Sequence, residues 1–101
     1  MKKYEIVILK KAAIELRDQE DYIRFEQDDP ESADIFIQRF LSALERLEYL
    51  PYSCPAMILG KRQRRKLVVG NHIAVFRVDA RRSIVFVEHV FHARRDYVKF
   101  L

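Results

Sequence analysis

The chain has 101 residues, of which 50% are hydrophobic and 34% charged, with 2 Gly, 3 Pro and 1 Cys. This length fits one domain over residues 1–101, the apolar content excludes a disordered chain, and the scarcity of Gly and Pro excludes collagen-like and low-complexity classes. The net charge of +4 is unevenly spread: residues 1–50 hold 8 Lys/Arg against 12 Asp/Glu, and residues 51–101 hold 11 against 3.

Tyr4 to Leu9 is short and β-rich and predicts a strand, ended by Lys10 and Lys11. Ala12 to Gln27 holds no Gly or Pro; Ala12, Leu16, Gln19 and Ile23 fall on one helical face, which the polar Gln19 weakens. Asp28-Asp29-Pro30-Glu31 then predicts a break and restart. Asp29 suits the N-cap, Pro30 the first helical position, and Glu31 the positive end of the helix dipole. Ala33, Phe36, Ile37, Phe40, Leu44 and Leu47 give the second helix a clean apolar stripe, which reads as core. Pro51 and Pro55 end it and open a loop, which extends to Gly60 and to which no element is assigned.

The period then changes to that of strands. Lys66 to Val69, Ile73 to Val78 and Ser83 to Phe91 are three runs, separated by the turn signal Gly70-Asn71 and by the polar Asp79-Ala80-Arg81-Arg82. The third run is apolar on both faces, as in a strand inside its sheet. The expected class is α+β in the order β-α-α-β-β-β. A helical hairpin covers one face of a small antiparallel sheet, the first strand adds at one side, and the other face is left to the basic half of the chain.

A concentrated positive field attracts nucleic acid, acidic proteins or anionic lipid; the plain alternative is a basic surface that only maintains solubility. Lys61, Arg62, Arg64, Arg65 and Lys66 suit nucleic-acid or protein contact, or a charged edge that resists aggregation. Arg77, alternating with Val75 and Ile73, either faces the working surface or is structural. Arg94 and Arg95 can grip phosphates or carboxylates, or pair with Asp96. His92 has the chemistry of a general acid or base, against the plainer role of a hydrogen-bonded strand end. Tyr97 and Phe100 suit base stacking or packing of the tail. Glu88, His92 and Tyr97 supply the types of a Glu-His-Tyr set, but Glu88 and His92 lie about 13 Å apart along a strand. One cysteine, Cys54, excludes an internal disulfide, and with the histidines it has no zinc-ligand spacing, so no metal or cofactor is expected. The N-terminus lacks the features of a signal peptide and no run suits a membrane span, so a soluble cytoplasmic protein is expected.

Three stretches carry a family resemblance. They are Asp29-Pro30-Glu31-Ser32-Ala33 with Leu47 through Pro51; Arg65 through Gly70 with Val75-Phe76-Arg77-Val78-Asp79; and His89-Val90-Phe91-His92-Ala93-Arg94-Arg95-Asp96, similar to a closing His-x-Arg-Arg-Asp signature. The ordered set resembles the RelE/ParE superfamily of toxins from bacterial toxin–antitoxin modules. The resemblance implies a growth-inhibitory toxin in a hetero-oligomer with an acidic, partly disordered antitoxin. RelE-like members cut mRNA on the ribosome, whereas ParE-like members poison DNA gyrase. Ile73 stands where RelE-like toxins carry an arginine, and Ala93 where they carry a basic residue, which favours the ParE-like branch. Target or antitoxin contact is then expected from Arg62, Arg64, Arg65, Lys66, Arg77, Arg94, Arg95 and Tyr97. The alternatives are an endoribonuclease using Arg77, His92, Arg94 and Arg95, and an inactive homologue that only binds antitoxin.

Overall fold

The computed structural model describes residues 2–95. Strand β1 (Glu5–Ile8) leads into helix α1 (Lys10–Asp21), which is prolonged by a π-helical turn at Tyr22–Glu26. Helix α2 (Pro30–Arg46) follows, then a 3-10 turn (Pro51–Ser53) and strands β2 (Ala56–Leu59), β3 (Arg62–Val69), β4 (His72–Asp79) and β5 (Ile84–His92). The strands form one sheet in the order β1-β5-β4-β3-β2. The chain enters at one edge, crosses through the helices, restarts at the far edge and meanders back.

Two features differ from the expectation. The sheet is mixed, because β1 runs parallel to β5 with Ile6 opposite Val85 and Ile8 opposite Val87. The segment left as a loop supplies a fifth strand, β2, whose Met57 and Leu59 lie opposite Arg64 and Arg62. The charged run at 62–65 therefore lies on β3, which begins earlier than Lys66.

The start of α2 follows its sequence. The Asp29 carboxylate accepts the Ser32 backbone N–H at 3.0 Å, with Pro30 in the first turn. The α2 stripe of Phe36, Phe40, Ala43 and Leu44 meets Leu67, Ala74, Phe76, Val85, Val87 and Val90 on one sheet face. Phe40 and Phe76 are fully buried at its centre. Between β3 and β4, Gly70 has φ of +59°, the left-handed value that a tight primed turn needs at its first position.

The second sheet face is not a bare platform. Ile73, Val75 and Phe91 form a smaller apolar cluster there with Met57, Leu59 and Ala93. Residues 72–76 of β4 are consequently buried on both sides, and β4 is the central strand. β5 is interior, between β1 and β4, and carries a bulge. Phe76 pairs with Val87 and Val75 with His89, so Glu88 is an extra residue in the ladder. Beyond Ile8 no strand among the described residues covers the outer edge of β5; instead the Glu15 carboxylate of α1 accepts the Val90 backbone N–H at 3.1 Å. The same oxygen lies 3.4 Å from His89 Nδ1.

Candidate functional site

The antiparallel reversal at Gly70-Asn71 sorts the cationic residues to two ends of the sheet. At one end, β3 and β4 bring together Arg62, Arg64, Arg65 and Arg77, since Arg65 lies opposite Phe76. At the other end are His72 and His92, directly paired, followed by Arg94 and Arg95. Arg77 is five residue steps along β4 from the His72–His92 level, which amounts to about 17 Å along the strand.

At the first end Glu88 organises the charges. Its carboxylate accepts Nε–H of Arg64 and lies 3.5 Å from Arg77 Nε. Arg64 and Glu88 are mostly buried, whereas Arg77 is 38% exposed and stacks its guanidinium 4.1 Å above the Phe86 ring. Arg65 turns toward the helix-to-strand connection. It donates to the carbonyls of Cys54 at 2.7 Å and Tyr52 at 3.4 Å and lies over the Tyr52 ring. Its first role is therefore to pin residues 51–55 to β3. Arg62 is exposed and Lys66 half-buried, and neither is in an ion pair among the described residues. Asp79 is held below the usual carboxylate range by the Arg82 side chain first and the Arg82 backbone N–H second.

At the second end His92 closes the end of its strand. Its Nδ1 accepts the backbone N–H groups of Arg94 and Arg95, each at 3.1 Å. A nitrogen that accepts two such bonds carries no proton, so the geometry assigns the proton of the neutral ring to Nε2. The His92 ring meets the His72 ring edge-on at 5.1 Å, and His72 packs 4.4 Å from the Phe36 ring. Arg95 folds back on α1: its guanidinium donates to Gln19 at 2.7 Å and lies 3.7 Å over the Tyr22 ring. Arg94 is exposed.

The expected contact residues thus do not form one patch. Arg64 and Arg77 are brought together on one face of the sheet, Arg65 lies at the same end on the other face, Arg94 and Arg95 stand apart from them, and Tyr97 lies outside the described residues. Arg77 and His92 do not converge on a common point, and neither do Glu88 and His92. Burial raises the Cys54 thiol above its usual range, so it remains protonated at neutral pH. No group of three His, Cys, Asp or Glu side chains among the described residues has the arrangement to hold a metal ion. No described helix is long and apolar enough to cross a membrane. Tyr52, which shapes the first end, was not expected there; the signal was an aromatic residue between Pro51 and Pro55, next to a basic run.

With this geometry, the family model for the ParE toxin of the type II toxin–antitoxin system parDE matches residues 6–97. The chain belongs to the ParE toxin family. Three solved structures are similar to this family member. A chain of the chromosomal ParDE toxin–antitoxin system from P. aeruginosa superposes with a TM-score of 0.71 at 19% identity, covering 93% of this chain and 100% of that one. A chain of the RelBE2 toxin–antitoxin complex from Mycobacterium tuberculosis gives 0.66 at 15% identity, covering 91% and 93%. The archaeal RelE–RelB complex from Pyrococcus horikoshii OT3 gives 0.64 at 17% identity, covering 92% and 98%. At these identities the three establish the shared RelE/ParE fold. No curated protein matches by sequence.

Proposed function

We propose that this ParE-family toxin inhibits growth by binding DNA gyrase and does not cut RNA. The observation that carries the reading is the separation of the groups that metal-free RNA cleavage requires. Such cleavage needs a base at the 2′-hydroxyl, an acid at the leaving oxygen and cations at the phosphorane, all within hydrogen-bond reach of one phosphate. Here Arg77 and His92 lie about 17 Å apart along the ladder. His92 holds a turn through Nδ1, Arg95 is engaged with Gln19 and Tyr22, and Glu88 is engaged with Arg64. The match to the ParE toxin family supports the same reading.

An acidic antitoxin segment neutralises the toxin on this reading. Residues 51–101, with 11 basic against 3 acidic residues, favour a partner of opposite sign. The structurally similar RelBE2 and RelE–RelB chains come from toxin–antitoxin complexes. Exposed Arg62 and Arg94 and half-buried Lys66 are the cations most available for these contacts.

Purified toxin is tested in parallel for inhibition of gyrase supercoiling and for cleavage of ribosome-bound mRNA. Inhibition without cleavage is expected. Cleavage that His92→Ala abolishes, with supercoiling unaffected, overturns the proposal in favour of a RelE-like nuclease. Neither activity, with no growth arrest on expression, leaves the inactive antitoxin-binding homologue.

A further inference from the structure

The helical layer carries a patch opposite in character to the basic half of the chain. Ile23 packs against the main core, whereas Phe25, two residues further along the same π-helical turn, is 70% exposed, and Tyr22 is 38% exposed. With Asp18, Asp21 and Glu26 these rings line a shallow depression of about 340 Å³. None of the three carboxylates is in an ion pair among the described residues. The one cation of this turn, Arg24, is held by Glu20 and Asp34, each at 2.7 Å. One ring of the depression already holds a guanidinium: Arg95 lies 3.7 Å over Tyr22, with an amino group on Gln19 rather than on a carboxylate. Phe25, the more exposed ring, has no such cation among the described residues.

We propose that this patch docks an arginine-bearing segment of a separate protein partner, with a guanidinium on the Phe25 ring. Cations are drawn to the face of an aromatic ring, and a planar guanidinium stacks there while its N–H edge still donates to carboxylates. Asp21 precedes Phe25 by four residues and Asp18 precedes Tyr22 by four, so each ring has a carboxylate about one helical turn before it. A lysine ammonium is more strongly hydrated and offers no flat face, so the pairing of ring and acid selects arginine. Three uncompensated carboxylates repel phosphate, which disfavours a nucleic acid here. A second copy of the chain is disfavoured by the net charge of +4 that each copy carries. Arg62, Lys66 and Arg94 do not line the depression, so docking here is separable from the antitoxin and gyrase contacts proposed above.

The test follows the backbone amide resonances of the full-length toxin during titration at constant ionic strength. The probes are capped peptides in which glycine alternates with arginine, with lysine or with glutamate. Saturable shifts centred on residues 18–26 are expected with the arginine peptide. The lysine peptide is expected to bind at least about threefold more weakly, and the glutamate peptide not at all. Phe25→Ser and Asp21→Asn change exposed side chains, and each is expected to weaken binding of the arginine peptide at least about threefold, whereas Glu45→Gln, at an exposed position of α2, leaves it unchanged. Three results overturn the proposal: no saturation with the arginine peptide, equal binding of the arginine and lysine peptides, or equal binding by Phe25→Ser, which reduces the patch to a diffuse negative field. A fourth does so as well. If the same resonances move on dilution of the toxin alone, and Phe25→Ser abolishes the movement, the occupant is a second copy of the chain and not a separate partner.

Discussion

His72 Nε2 lies 3.1 Å from the side-chain oxygen of Gln19, joining the central strand to the first helix through a polar contact. Arg95 donates to the same oxygen at 2.7 Å, which fixes the orientation of the carboxamide. A carboxamide oxygen only accepts, so His72 Nε2 is the donor. Gln19→Leu removes this acceptor from the buried imidazole N–H. A loss of about 1–3 kcal/mol is expected in urea unfolding, and Gln19→Glu, which retains an acceptor, is expected to lose less.

Phe40 is fully buried where α2 meets the sheet, with the Phe36 ring 5.8 Å away. Phe40→Ala removes most of a ring and leaves a cavity that the β4 and β5 side chains only partly fill. The expected cost is about 3–5 kcal/mol, a large share of the stability of a domain this size, and it is read from the denaturation midpoint.

Glu88 is the carboxylate between Arg64 and Arg77, and its side chain is 17% exposed. Glu88→Gln leaves two guanidiniums facing each other with no counter-charge and is expected to destabilise by on the order of 3 kcal/mol. Replacing Arg64 by Gln in the same chain is expected to restore part of that loss. A double-mutant cycle in chemical denaturation measures the coupling, and additive effects would show that the pair is not energetically linked.

Two carboxylates link stability to acid pH. Hydrogen bonds from Ser32, side chain first and backbone N–H second, hold Asp29 below its ordinary value of 3.8. Asp79 is lowered from the same value by Arg82. In both cases the folded state binds the proton more weakly than the unfolded chain. The stabilisation is therefore complete above the unfolded value and is lost as pH falls through the lower folded one. The thermal midpoint of the double variant Asp29→Asn, Asp79→Asn is expected to fall less steeply with acidification than that of the parent. An unchanged slope would assign the acid sensitivity to other groups.

Much of this fold was legible where local chemistry and packing agree. The Asp29-Pro30-Glu31 start of α2, its apolar stripe and the Gly70-Asn71 turn all follow their residues. β2 was not legible, because Ala56-Met57-Ile58-Leu59 has neither alternation nor length and is a strand only through pairing with β3. The first four residues of β3 carry three arginines and a glutamine, so their strand character also depends on that partner. The direction of β1 was not legible either, since parallel pairing with β5 spans almost the whole chain. For the site, residue types were visible but groupings were not. Arg64 and Arg77 meet because two strands reverse, while His92, only four residues beyond Glu88, is carried to the opposite end. Gln19 interrupted the α1 stripe, and the structure gives the reason: its partners lie on β4 and at the end of β5.

The bulge in β5 has an evolutionary consequence. Val85, Val87 and Val90 all face the helices, at spacings of two and then three, and the single surplus position absorbs the odd step. A chain lacking that position would keep every core side chain in phase, with a straight eight-residue ladder against β4. What it would lose is the anion between two arginines. Among relatives, a one-residue gap at this point is therefore tolerable to the architecture, and should coincide with loss or replacement of one of those two cations.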